Sequence, residues 1–179
     1  MKKIISLLCL SLVCITVCLP LASCSKTDAH TGFQIMSGDI NDFVIEAPAD
    51  WIITSRNGFA SAKSQGYGGD LSNISATSFQ MLEEIRTPEQ YFEHAVTEPF
   101  GEGHELNIIE RDVDVKMGEQ AAKRYVYTLD MYGEDYKYMM VVCAYKGRIY
   151  VVTYTSTEEF YDLYTDYMTD ILNFFKFKV

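Results

Sequence analysis

The chain is poor in the residues that enzymes use for chemistry. It has three histidines, and His30, His94 and His104 show no H-x-x-x-H or similar spacing for a metal. Of five cysteines, Cys9, Cys14 and Cys18 lie inside an apolar N-terminal run and Cys24 closes it. Cys143 is the one thiol in the remainder, which excludes an internal disulfide framework and a Cys-rich zinc site. There is no G-x-S-x-G elbow. "GYGG" at 66–69 is glycine-rich, but no G-x-x-x-x-G-K-[ST] pattern continues it, so it reads as a loop rather than a phosphate cradle. Basic residues are scarce, 15 Lys and Arg against 25 Asp and Glu, for a net charge of −10. Duplex binding needs clustered cations to displace counterions, so nucleic acid is excluded as a partner.

The N-terminus carries the clearest signal. Lys2 and Lys3 precede an apolar stretch from Ile4 to Leu21, and the exit reads Leu21-Ala22-Ser23-Cys24. That exit resembles the lipobox of bacterial lipoproteins, in which the cysteine takes up a diacylglyceryl group and cleavage leaves it as the first mature residue. An uncleaved anchor is the competing reading, since the run approaches the roughly 17–25 residues of a membrane span. Pro20 and the four matching lipobox positions argue against it. Residues 1–23 are thus expected to be a signal peptide and Cys24 the lipidation site. A polar tether spans 24–31 and one globular domain spans 32–179. Removing residues 1–23, with Lys2, Lys3 and no acid, takes the net charge to −12. So acidic a surface is repelled by anionic lipid, which leaves the lipid to hold the protein at the membrane.

Within the domain, "NDFVIEAPADW" predicts a strand over 42–47 stopped by Pro48. "GFASAKSQ" and "NISATSFQM" predict two more, and "GDIND" at 38–42 a turn. Thr87, Pro88 and Gln90 form a capping box opening a helix whose apolar face is Tyr91, Phe92, Ala95 and Val96, ended by Pro99 and Gly101. From Leu106 the apolar period becomes two, giving four strands with turns at Met117-Gly118, Gly133-Glu134 and Lys146-Gly147. Two-residue turns set Tyr125 opposite Val142 and Tyr127 opposite Met140 across the second turn, and Cys143 opposite Tyr150 across the third. The strand over 136–145 is apolar on both faces, so both must be covered. Ser156 and Glu159 read as a second capping box, followed by a stripe from Phe160 through Leu163, Tyr167, Ile171 and Leu172 to Phe175. "NFFKFKV" ends the chain as a short strand or docked tail.

These segments resemble the PsbP-like domain, the Mog/PsbP fold. The resemblance spans about 32–179 and rests on Pro48-x-Asp50-Trp51, the Gly147 hairpin and the Thr153 to Ser156 exit into a terminal helix. It implies an α+β, α/β/α sandwich, with a central, mainly antiparallel sheet flanked by helices, and a role in assembly or binding rather than catalysis. No residue pattern for a photosystem or Ran partner carries over.

Cys143, among Val141, Val142 and Ala144, reads as core. His104 with Glu102 and Glu105 could chelate only weakly. Trp51 should close one end of the core. Glu110, Asp112 and Asp114 in "ERDVDVK", with Lys116, share one strand face and make a weak candidate site for a cation or basic partner. An outer strand kept charged against edge-to-edge pairing explains them better, with Asp112 neutralised opposite Lys123 or Arg124. The expectation is a membrane-anchored, extracytoplasmic, non-catalytic binding or assembly module. It needs no cofactor or metal, and its partner is a protein or the cell wall. The alternative is a cell-envelope hydrolase with a site assembled from scattered residues.

Overall fold

The computed structural model describes residues 28–101, 105–131 and 133–178. The signal segment, Cys24, Glu102 and His104 lie outside the described residues. The apolar stretch read as one strand over 42–47 divides. β1 (Phe33–Ile35) pairs with β3 (Glu46–Pro48), and β2 (Phe43–Val44) pairs with the C-terminal strand. The division falls at Ile45, whose N–H donates to the Ser37 hydroxyl oxygen and whose carbonyl accepts from the Met36 N–H. Pro48 is tolerated at the strand end, where no ladder donor is needed.

Next come β4 (Ile52–Ile53), β5 (Ala60–Lys63) and β6 (Asn73–Gln80). The β4–β5 hairpin, of which β4 is not among the expected strands, closes on Asn57-Gly58, both at positive φ (51° and 80°), a dipeptide whose local hairpin preference is visible in the sequence. α1 (Pro88–Phe92) starts on the predicted capping box, with Thr87 Oγ1 accepting from the Gln90 N–H and the Gln90 side chain reaching back. A π-helical turn, Glu93–Thr97, follows, then α2 (Glu98–Phe100). Pro99 has no N–H to donate backwards, and the widened turn before it accommodates that; the helix stops at Gly101.

The long meander comprises β7 (Asn107–Met117), β8 (Gln120–Met131), β9 (Glu134–Tyr145) and β10 (Arg148–Thr157). With β4 to β6 it makes a seven-stranded antiparallel sheet of order β4-β5-β6-β10-β9-β8-β7. The expected register holds across the third turn, where Cys143 meets Tyr150. Across the second it is displaced by two, Tyr125 meeting Met140 and Tyr127 meeting Tyr138. Met131 pairs with Glu134, so the turn closes one position earlier than read. A shift of two keeps every side chain on its own face.

α3 (Glu158–Tyr161) opens without the expected box. Ser156 stays in β10 with its hydroxyl 2.7 Å from Ser72 Oγ, so it cannot cap. A 3₁₀ turn, Asp162–Tyr164, then rotates the chain and leaves Leu163 exposed, off the predicted stripe. α4 (Thr165–Phe174) buries Met168, Ile171 and Leu172, with Phe175 following, and β11 (Lys176–Phe177) pairs with β2.

Both faces of the sheet are covered. Tyr125, Tyr127, Met140, Val142, Ile149 and Val151 pack under α1 with Phe92 and Val96. On the other face Val141, Cys143, Val152 and Tyr154 meet α4, Phe43, Ile45 and Trp51. Each large apolar side chain so buried is worth about 1.5–3 kcal/mol. Trp51 is buried, edge-on to Tyr164 at 4.9 Å.

Candidate functional site

The predicted chemical residues are scattered by the fold. Cys143 is fully buried, and burial pushes its thiol up to about 11. An unionised thiol in the core is no nucleophile. His94 meets one carboxylate, Glu98 at 3.1 Å, on an exposed helical turn. His30, which falls in the polar tether read over 24–31, is docked on the domain. Its Nδ1 lies 3.0 Å from Oε1 of the buried Glu46, its N–H donates to Glu46 Oε2 at 3.1 Å, and its ring stacks on Phe174 at 3.7 Å. A buried carboxylate must be paired, and here the pairing docks the end of the tether. Among the described residues no group of three His, Cys, Asp or Glu side chains is placed to hold a metal.

The acidic strand is also rearranged. β7 is bulged between Glu110 and Val113, with Asp112 at φ 56°. An extra residue in one strand resets its alternation. Glu110 therefore faces the α4 side, where Arg124 Nε donates to it at 2.8 Å. Asp114 faces the opposite side, bound to Lys123 at 2.9 Å. Asp112 lies at the bulge, 3.6 Å from Arg111, and its carbonyl accepts from Lys123. The three acids do not share one face, and each has a cation beside it. Burial and the Asp112 carboxylate together raise the Tyr125 phenol well above its ordinary value.

"GYGG" forms a 3₁₀ turn, Tyr67–Gly69, that delivers Asp70 into the structure. Asp70 accepts from the Ser72 N–H and the Tyr164 hydroxyl, both at 2.8 Å. Burial alone would raise its carboxyl, but the hydrogen bonds from Ser72, Tyr164 and Ser64 outweigh it and the net shift is downward. The "GDIND" segment is a turn as read, closed by Asn41 N–H to the Gly38 carbonyl and Gly38 N–H to Asn41 Oδ1.

That turn forms one wall of a cleft of about 460 Å³, within the size range of ligand sites. The hairpin tip Asn57-Gly58-Phe59 forms another wall, and Thr77, Ser78 and Arg148 line the rest. Asp42 is ion-paired to Arg148 and accepts from Ser78 Oγ at 2.5 Å. The Tyr150 hydroxyl lies 3.4 Å from Asp42 Oδ2, and burial and Asp42 push that phenol up to about 12. Ile40 (78% exposed) and Phe59 (46% exposed) stand at the rim. The long-range pairing of Asp42 with Arg148 and Ser78 has no signature in local sequence. A smaller recess toward the open end of the same hairpin is lined by the exposed Ile52 and Leu71.

No protein-family model matches the chain, and no curated protein matches its sequence. Among solved structures, the chain superposes on cyanobacterial PsbP (CyanoP) from Synechocystis at a TM-score of 0.59 and 14% identity, covering 88% of this chain and 99% of that one. The Ran-binding protein Mog1p of Saccharomyces cerevisiae gives 0.57 at 7% identity, covering 82% and 95%. LpqN of Mycobacterium tuberculosis, involved in cell envelope biogenesis, gives 0.55 at 11%, covering 80% and 90%. At such identities the likeness is one of architecture, and it agrees with the sheet order, the two covered faces and the terminal helix described above. The chain has the PsbP-like fold.

Proposed function

We propose that this protein is a non-catalytic binding or assembly module, held at the extracytoplasmic face of a membrane by lipid on Cys24. One observation carries the binding reading. Ile40 and Phe59, both large, apolar and exposed, stand together at the rim of the Asp42–Arg148 cleft, and the exposed Ile52 and Leu71 line the recess further along the β4–β5 hairpin, with the exposed Ile53 next to Ile52. Apolar side chains clustered in water mark a surface that another molecule covers. The titratable candidates support the same reading, because Cys143, His30 and Asp70 are all committed to packing or internal hydrogen bonds. The neighbours add analogy only, through a Ran-binding protein and a protein of envelope biogenesis that share the fold. The anchor is supported by the lipobox-like exit alone. A partner could be a protein or the cell wall, and the hairpin is where it would sit.

The test is photocrosslinking in cells. A benzophenone amino acid at Ile53 or Phe59 should give a discrete adduct that the same group at Leu163, exposed elsewhere, does not give. Cys24→Ala should leave the membrane fraction or remain uncleaved. Identical adducts at all three positions would refute the hairpin as a binding surface. Turnover of an envelope substrate, lost in Ser78→Ala, would favour the hydrolase alternative.

A further inference from the structure

The margins of the sheet are built differently. β7, the long outer strand, is bulged at Asp112 and carries Glu110, Arg111, Asp114 and Lys116, features that discourage another strand from pairing. The opposite side contains an interrupted ladder. β10 pairs with β6 out to Gln80, but β5 pairs with it only as far as Ala60 opposite Ala76. Among the described residues, Thr77 to Gln80 therefore have a strand on one side only.

The hydrogen-bond phase shows which groups are left open. Ser64 N–H donates to the Ser72 carbonyl, and bonded pairs recur at every second residue of an antiparallel ladder. Ala62 with Ile74 and Ala60 with Ala76 are then the next bonded pairs, and Gly58 with Ser78 would follow. That pair does not form. Asn57 and Gly58 turn the chain back, and the Gly58 carbonyl accepts instead from Asn41 Nδ2 at 2.5 Å. The outward N–H and C=O of Ser78, and of Gln80 beyond it, have no backbone partner among the described residues. Ser78 lines the cleft of about 460 Å³.

We infer that this cleft accepts an extended peptide segment of a partner protein, which adds to the open edge of β6 where β5 leaves it. The inference rests on the binding-module reading and names its partner chemistry. A strand supplies donors and acceptors at the spacing that Ser78 and Gln80 require. Its side chains alternate in direction. The residue opposite Ser78 faces the Asp42–Arg148 pair, which is neutral overall and suits a small polar side chain. Ile40 and Phe59, exposed at the rim of the cleft, suit apolar side chains elsewhere along the segment. A second copy of this chain is the poorer occupant, because its own long edge is bulged and charged.

The experiment selects random heptapeptides on phage against the full-length protein in detergent. The best synthetic peptide is then measured by fluorescence anisotropy. N-methylation at alternate peptide positions should abolish binding at one parity and leave the other within about twofold. Ile40→Asp and Phe59→Lys, both at exposed positions, should weaken binding at least tenfold with unchanged melting. Ser78 and Gln80 amides should gain protection from hydrogen exchange. Equal tolerance of N-methyl groups at every position, or protection confined to another surface, would overturn the inference. So would the absence of any enriched peptide together with a shift of these amides by N-acetylchitotetraose, which would make the cleft a glycan site. If crosslinks form at the hairpin in cells while the peptide result is negative, the module reading stands and strand addition falls.

Discussion

Asp70 carries a charge inside the protein because Ser72, Tyr164 and Ser64 all donate hydrogen bonds to it. Its folded carboxyl lies below the 3.8 of a free aspartate, so the unfolded chain takes up a proton there first as the solution is acidified. A depressed acid contributes stability that is fully present above its unfolded value and is lost as pH falls through the folded one. Asp70→Asn is therefore expected to lower the melting temperature at pH 7. It should also flatten the fall in stability as pH drops below the 3.8 of a free aspartate, relative to the parent, read by circular dichroism. An acid limb of unchanged steepness would show that other carboxylates set it. None of this was legible in "GYGGDLSN", because Tyr164 and Ser72 reach Asp70 only after the helix and sheet have assembled.

Elements governed by local rules were readable; those governed by distant contacts were not. The Thr87–Gln90 box and the Lys146-Gly147 hairpin need only their own neighbours, and the structure has both. The Ser156 box failed because a tertiary partner, Ser72, competed for the hydroxyl. The bulge at Asp112 and the split at Ile45 leave the hydrophobic alternation nearly intact while changing which faces and partners the residues meet. Gly118 was recognised as a turn but not for its docking role. It has φ 55°, donates its N–H to the Leu172 carbonyl, and would set a Cβ 2.5 Å from the Phe175 carbonyl. Gly118→Ala should cost about 1–2 kcal/mol from the left-handed backbone alone, and more from that clash. The measurement is urea unfolding. A change below about 0.5 kcal/mol would mean the turn moves freely away from α4.

At the scale of the molecule, one sheet serves two cores, so neither layer can loosen without exposing the strands they share. Trp51 is the only tryptophan and sits in the α4-side core, whereas the far-ultraviolet signal comes mainly from the sheet. Tryptophan fluorescence and circular dichroism should follow the same urea transition, as a two-state domain requires. A fluorescence midpoint clearly below the other would show that the α4 layer melts first. The pairing of His30 with Glu46 has a consequence of another kind. With lipid on Cys24, only five residues lie between the anchor and the docked His30, a span that fully extended is roughly 20 Å. The domain would then be moored on a short line fastened at its flank. It could swing but not roll freely, and the side bearing His30 and Phe174 would stay turned toward the bilayer. Partners would meet a surface already aimed for them, with much of the search for orientation completed before they arrive.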